Sequence, residues 1–278
     1  MRVITSKDNP ALKLARKLKS RRGREKVGAF LVEGQKLISE AESANYSIEF
    51  IFLNAAAEGD DVFEAYPEGI ILEEKLFCEL AGTVTPQPVI AVVRHKAADD
   101  GLLRDARDEG IEFDAELFHR FAPGHEGEPA IRILIIDRVG DPGNVGTMIR
   151  SALAAGISGV WCVKGTADVF SDKSIRASAG AVFHLPVREE LSVHDCLGYV
   201  MDLEAKLIVC AADGIDLFET DLNGSIAIVI GNEGAGVDGA FIKAADAVVG
   251  IPMAEESESL NAAIAAAIVM YEALRQRV

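Results

Sequence analysis

No stretch of this 278-residue chain approaches the ~18 consecutive apolar residues that a membrane helix requires. Its opening, MRVITSKDNPALKLARKLKS, lacks the apolar core of a secretory leader. Neither membrane insertion nor secretion is expected. Cysteine is scarce. Cys78, Cys162, Cys196 and Cys210 lie far apart with no C-x-x-C pair, so mostly buried thiols in a reducing, cytoplasmic compartment are expected. His125, His184 and His194 show no ligand spacing, and His194-Asp195-Cys196 reads as a helix start. No metal is assigned. With 49% hydrophobic and 26% charged residues the composition is that of a globular protein, which excludes disorder, collagen and small disulfide scaffolds. The length predicts two domains.

Charge is unevenly spread. Residues 1–26 hold ten Lys and Arg against two acids, a local charge of +8, whereas the rest of the chain carries −24. The overall −16 argues against non-specific coating of nucleic acid, because phosphate affinity comes from Lys and Arg. A basic segment on an acidic body can still grip RNA locally. Read structurally, 8–26 is one solvated amphipathic helix, with Ala11, Leu12, Ala15 and Leu18 at helical spacing and Asp8 as N-cap. Both readings stand.

Short β-like runs (29–32, 48–53, 70–72, 89–93) alternate with helical patterns at 35–43 and 73–81, which predicts a small α/β domain over 1–95. Residues 96–130, acidic and then rich in Gly, Pro and Glu, are read as a linker. From 131 to 278, strands are expected at 131–136, 159–163, 207–211, 226–230 and 247–251. Helices are expected from the turn after 136 to about 155, and at 171–179, 194–205, 237–245 and 259–276. This alternation predicts a parallel sheet covered on both faces.

Ligands of such sheets sit beyond the carboxyl ends of the strands, so the segments after Ile136, Ile230 and Ile251 carry the search. After Ile136, Asp141-Pro142-Gly143 makes a turn, Asn144 can cap the next helix, and Arg150 lies two turns into it. After Ile230 comes GNEGAG, whose glycines let a ligand approach backbone amides. Gly234-x-Gly236-x-x-Gly239 also fits a dinucleotide fingerprint with Glu255 downstream, but the chain beyond Ile251 reads as one helix and cannot complete a βαβαβ half. NAD is discounted. After Ile251, Ser259 and Asn261 stand at the start of an Ala-rich helix, where either serves as a plain cap and the alanines suit close packing on another helix.

Taken together, D-x-x-x-D-P-G-N-x-G-x-x-x-R at 137–150, I-G-N-E-G-x-G at 230–236 and I-P-M-x-x-x-x-x-S-L-N-x-x-x-A-A-A-I-x-x-Y-E at 251–272 resemble the three ordered motifs of the SpoU, or TrmH, family. DKSIRASAGAVFHLP at 172–186 resembles its connecting segment, and FLVEGQKLISEA at 30–41 is similar to the L30e-like substrate-binding domain of many members. The resemblance implies an α/β fold in which an N-terminal L30e-like domain precedes a C-terminal parallel-sheet domain with a deep trefoil knot of SPOUT type. It further implies a homodimer with its sites at the interface. The implied activity is S-adenosyl-L-methionine-dependent methylation of an RNA ribose 2'-oxygen, with ribosomal RNA favoured over transfer RNA.

By motif, Gly231, Ile251 and Leu260 would hold the cofactor, with the loop after Cys210 as a further wall. Asn144, Arg150, Glu233, Ser259 and Asn261 would form the reaction site. A guanidinium is a poor general base, so Arg150 is read as clamping a phosphate and stabilising developing alkoxide charge. Glu255, Glu256 and Glu258 make the third motif unusually acidic, which would narrow substrate choice. The intact set Asn144, Arg150, Glu233, Ser259 and Asn261 counts against the alternative, a non-catalytic RNA-binding or ribosome-assembly factor.

Overall fold

The computed structural model describes residues 3–96, 130–254 and 259–277. The 96–130 segment, His125 and the acidic trio at 255–258 fall almost wholly outside the described residues.

The basic N-terminal segment is two helices, α1 (Pro10–Lys17) and α2 (Arg21–Val27). Asn9, not Asp8, caps α1 by accepting from the amides of Ala11 and Leu12, and Pro10 follows at the first helical position. Ser20 caps α2, and Gly23 sits so near the Lys17 carbonyl that a Cβ there would lie 1.7 Å from the oxygen. The single helix expected over 8–26 is therefore broken at 18–20.

Next come β1 (Ala29–Glu33), α3 (Gln35–Ser43), β2 (Ile48–Asn54), α4 (Asp61–Ala65), β3 (Ile70–Leu72), α5 (Glu74–Leu80) and β4 (Val89–Arg94). The four strands pair in the order β1-β4-β2-β3, with only β2 and β3 parallel.

The second sheet contains β5 (Arg132–Asp137), β6 (Gly159–Val163), β7 (Val187–Leu191), β8 (Lys206–Asp216), β9 (Ile226–Gly231) and β10 (Ala247–Gly250), in the order β10-β8-β9-β5-β6-β7, all parallel. Helices α6 (Pro142–Ala154), α7 (Asp172–Ser178), α8 (Val193–Asp202), α9 (Gly239–Ala244) and α10 (Ala262–Arg275) cover it. Side chains alternate along β5 as a two-faced strand requires. Leu134 and Ile136 join one core with Met148, Ile149 and Met270, while Ile133 and Ile135 join another with Trp161 and Phe241. The alanines of α10 behave as expected: Ala262, Ala263 and Ala266 are buried, and α10 packs on α6.

β7 was not expected. Its sequence, VREEL, is mostly charged, yet Arg188 is buried and Glu190 only partly exposed. The reason lies in the other half of the chain. Arg21 pairs with Glu190 and donates from Nη1 to the Thr166 carbonyl at 3.2 Å. Arg24, 10% exposed, pairs with Asp168 and donates to the Leu18 carbonyl at 2.7 Å. Phe30 lies between Phe170 and Phe183, with ring centroids at 4.9 and 6.0 Å. One apolar core thus runs from the first sheet into the second.

Among the described residues no helix is long and apolar enough to cross a membrane. All four cysteines are free; Cys162 and Cys196 are buried, Cys210 is half-buried, and Cys78 is exposed.

Candidate functional site

A groove opens beside the middle of β8 and beyond the carboxyl ends of β9 and β10, with about 710 Å³ of empty space counted out to its open mouth. Segments from three strands build it. β8 pairs with β9 only over Lys206–Cys210, whereas β10 pairs first with Ile208 and Val209 and then skips to Ile215 and Asp216. Residues 210–214 therefore bow out of the sheet. Cys210, Ala211 and Ala212 of that bow form one wall, Ile230 to Glu233 with Gly236 and Val237 a second, and Ile251, Met253, Ser259, Leu260, Ala262 and Ala265 the third.

Gly231, Ile251 and Leu260, the residues implied to hold a cofactor, all line this groove, and so do Glu233 and Ser259. The backbone at Gly231 is crowded. A Cβ there would lie 2.5 Å from the Gly236 carbonyl carbon and from the Val237 amide nitrogen.

At the mouth, three polar side chains from three motifs form one relay. Asn261 is the N-cap of α10, its Oδ1 accepting from the amides of Ala263 at 2.9 Å and Ile264 at 3.3 Å. That duty turns its Nδ2 outward, where it donates to Asn144 Oδ1 at 3.1 Å. Asn144 must then present its own Nδ2, which donates to Glu233 Oε1 at 2.7 Å. Each amide has a single orientation that satisfies its neighbours, so the helix cap fixes the polarity of the whole chain.

Asn144 itself is not the cap of α6. Asp141 is, accepting from the Asn144 amide at 2.9 Å with Pro142 at the first helical position. The proline carried that signal, because the cap is the residue before it. Lys173 holds Asp141 from α7 at 2.6 Å, and this ammonium, with the Asn144 amide, keeps the Asp141 carboxyl below the usual carboxylate range.

Arg150 stands apart. It is exposed on α6, lines no part of the groove and pairs with no described residue. Ser259 lines the groove beside Leu260. His184 pairs with Glu40 of α3 across the two halves at 2.9 Å. Among the described residues no group of three His, Cys, Asp or Glu side chains is placed to hold a metal ion. Sequence reasoning gave no role to Asn232, Val237, Met253, Ala262 and Ala265 of the groove; Asn232 lies inside the second motif and Met253 and Ala265 inside the third, whereas nothing marked Val237 and Ala262.

Known proteins are similar to this chain in both sequence and fold. A model of the SpoU rRNA Methylase family matches residues 132–271, and one of the MRM3-like substrate binding domain matches 9–91. The 23S rRNA (guanosine(2553)-2'-O)-methyltransferase RlmP of Bacillus subtilis is 33% identical over 98% of this chain and 98% of its own. The crystal structure of the SpoU methyltransferase AviRb from Streptomyces viridochromogenes in complex with AdoMet superposes with a TM-score of 0.80 at 29% identity, covering 97% of this chain and 98% of that one. An AdoMet-bound rRNA methyltransferase from Sinorhizobium meliloti gives a TM-score of 0.76 at 27% identity, covering 100% of this chain and 98% of the other.

Proposed function

The chain belongs to the SpoU rRNA Methylase family, and on that premise we propose that its groove holds S-adenosyl-L-methionine while Asn144, Arg150, Glu233, Ser259 and Asn261 align an RNA ribose for 2'-O-methylation. It is an RNA (ribose-2'-O)-methyltransferase, with ribosomal RNA favoured over transfer RNA. The Glu233–Asn144–Asn261 relay at the mouth of the groove is the observation that carries the reading.

The groove suits the cofactor in chemical kind. Ile230, Val237, Ile251 and Leu260 offer apolar faces to a purine, and the 231–237 backbone closes one side of the same space. When bound, S-adenosyl-L-methionine supplies an electrophilic methyl group. The residues have to align the acceptor oxygen and manage its proton. Asn144 and Glu233 fix the geometry of the mouth, and Ser259 and Asn261 order the segment that enters α10. Arg150, exposed on the same helix as Asn144, clamps the adjacent phosphate and stabilises developing alkoxide charge, while a phosphate oxygen or a water takes the proton.

The RNA-binding part is read as 1–95, the connecting segment as 96–130 and the catalytic part as 131–278. Not all of the basic segment is free for RNA, since Arg16, Arg21 and Arg24 are paired with Glu79, Glu190 and Asp168. Lys17, Arg22 and Lys26 are exposed, with the last two on one face of α2. A trefoil knot is inferred from the family; the chain at 248–250 packs tightly on the 211–214 bow of its neighbour strand, where a Cβ on Gly214 would lie 2.3 Å from the Val249 carbonyl carbon. A homodimer is supported by Ile264 and Tyr271 on one face of α10, with Leu260 just before it and Leu153 of α6, all more than a third exposed. Such a dimer would bring Arg150, one turn from Leu153, towards a shared site. Four free thiols support a cytoplasmic location.

The test is transfer of labelled methyl from S-adenosyl-L-methionine to unmodified total RNA by wild type, Arg150→Ala and Arg150→Lys, with the product mapped as a ribose 2'-O-methyl. Label in one RNA species, lost with Arg150→Ala and much reduced with Arg150→Lys, is expected. Near-full activity of Arg150→Lys would show that bidentate geometry is unnecessary and the clamp wrong. Cofactor binding without label on any RNA, in the dimeric protein, would favour a non-catalytic RNA-binding role.

A further inference from the structure

The loop that carries Glu233 and one of the three groove walls is fastened at its base to the corner where β5 ends. Asp137, the last residue of β5, is fully buried and carries a carboxylate. Its Oδ1 accepts from Arg138 Nε at 2.8 Å and its Oδ2 from the Asp238 amide at 2.7 Å. Arg138 Nη2 reaches both Asp137 Oδ2 at 3.1 Å and Asp238 Oδ2 at 3.3 Å, so one guanidinium ties the end of β5 to the far end of the 232–238 loop. Asn232 ties the near end. Its Nδ2 donates to the Arg138 carbonyl at 2.9 Å while its Oδ1 accepts from the amides of Gly234 and Ala235, both at 2.9 Å.

Arg138 sits at φ +58, in the left-handed region that a side-chain-bearing residue occupies only when its surroundings hold it there. Here the amide, carbonyl, Nε and Nη2 of the residue are all held. The amide donates to Thr166 Oγ1 at 3.1 Å, and that hydroxyl donates in turn to the Ile136 carbonyl at 2.9 Å. Thr166 is 3% exposed, so water cannot replace the bond.

We propose that Arg138, locked by Thr166 beneath it and Asn232 above it, is a positioning residue of the methyl-transfer site that sets the 232–238 loop and thereby Glu233 and the cofactor wall. The inference rests on the functional reading above but concerns residues to which that reading gave no role. Glu233 reaches the relay through one hydrogen bond to Asn144, so a shift of the loop by an ångström breaks it.

Two substitutions cut the lock from opposite sides. Thr166→Val removes the hydroxyl at nearly constant shape, with Thr166→Ser as the variant that restores it. Asn232→Asp keeps the acceptor for Gly234 and Ala235, loses the donor to Arg138 and adds a charge at the groove wall, so its amide exchange without cofactor is the readout that reports on the lock. Both should weaken cofactor binding by about tenfold, the scale of one buried hydrogen bond, and lower kcat at saturating cofactor at least as much. KM for RNA should stay within about twofold of wild type, since the RNA-binding part touches Thr166 only where Arg21 donates to its backbone carbonyl, which Thr166→Val leaves in place. Amide exchange, measured without cofactor, should be at least about tenfold faster at Gly234, Ala235 and Gly236 in both variants. Thr166→Ser should recover all three readouts.

Unchanged kinetics and exchange, or a fall in Tm alone with wild-type constants per folded molecule, would overturn the proposal. If Thr166→Val does not fold, Asn232→Asp decides. If wild type transfers no methyl, the functional reading falls instead, and loop exchange still decides whether the lock exists.

Discussion

Gly231→Ala tests the groove most directly, because the added atom meets backbone rather than a side chain that can turn aside. The new Cβ would lie 2.5 Å from the Gly236 carbonyl carbon and from the Val237 nitrogen, and 2.6 Å from the Gly236 oxygen. Normal carbon contacts are near 3.5 Å, so roughly an ångström of overlap has to be relieved. The far side cannot swing freely. The Asn232 amide donates to the Gly236 carbonyl at 3.1 Å and the Gly236 amide returns the bond to Asn232 at 2.9 Å. Relief therefore means either opening this bridge or displacing Gly236 and Val237, which are themselves groove wall. Overpacking of this kind costs about 1–3 kcal/mol, divided between folding and cofactor binding. Calorimetric titration with S-adenosyl-L-methionine together with thermal unfolding should find that sum. If binding bears all of it, Kd rises about 5- to 150-fold. Gly239→Ala is the matched control, since nothing lies within 4 Å of its added Cβ and it opens α9. It should bind normally and gain slightly in stability. A Gly231→Ala protein with wild-type Kd and wild-type Tm would refute the reasoning.

Two further predictions concern the seam between the halves. Arg24→Met should cost about 3–5 kcal/mol, because it strands Asp168, 11% exposed, without its cation. In a chain of this size that lowers Tm by about 6 °C or more, and a loss below 2 °C would show that the pair is effectively solvated. His95 packs against Phe30 and Phe170, near Asp168 and Arg24, and burial pushes its pKa down to about 4. The unfolded chain then takes up this proton first as pH falls, so the contribution is intact above about pH 6.5 and declines towards pH 4. Urea unfolding at pH 7 and pH 5 should show wild type losing about 2 kcal/mol more than His95→Phe over that interval. Parallel losses in the two proteins would place the proton elsewhere.

What the sequence made legible and what it hid follow from the range of the forces involved. Strands with local signatures were readable: ILII in β5 and IAIVI in β9 are apolar runs that only a two-faced buried strand explains. The groove residues were readable for a related reason, because Gly231, Ile251 and Leu260 lie just beyond strand ends within dense motifs. β7 and the partners of the basic segment were hidden for one cause. Arg21 pairs with Glu190 and Arg24 with Asp168, across some 140 to 170 residues of chain. No local pattern reports such a pairing. Asn144 was misread more narrowly, as a cap where Asp141 already served, and the error conceals the chemistry: a capping Asn spends its oxygen on the helix, whereas Asn144, one turn further in, keeps both ends of its amide for Asn261 and Glu233. Asn261 does cap, and for that reason it can face the site only as a donor. The two asparagines are thus not interchangeable, and the polarity of the relay, from the N-terminus of α10 through Asn144 to the Glu233 carboxylate, is set by which of them is the cap.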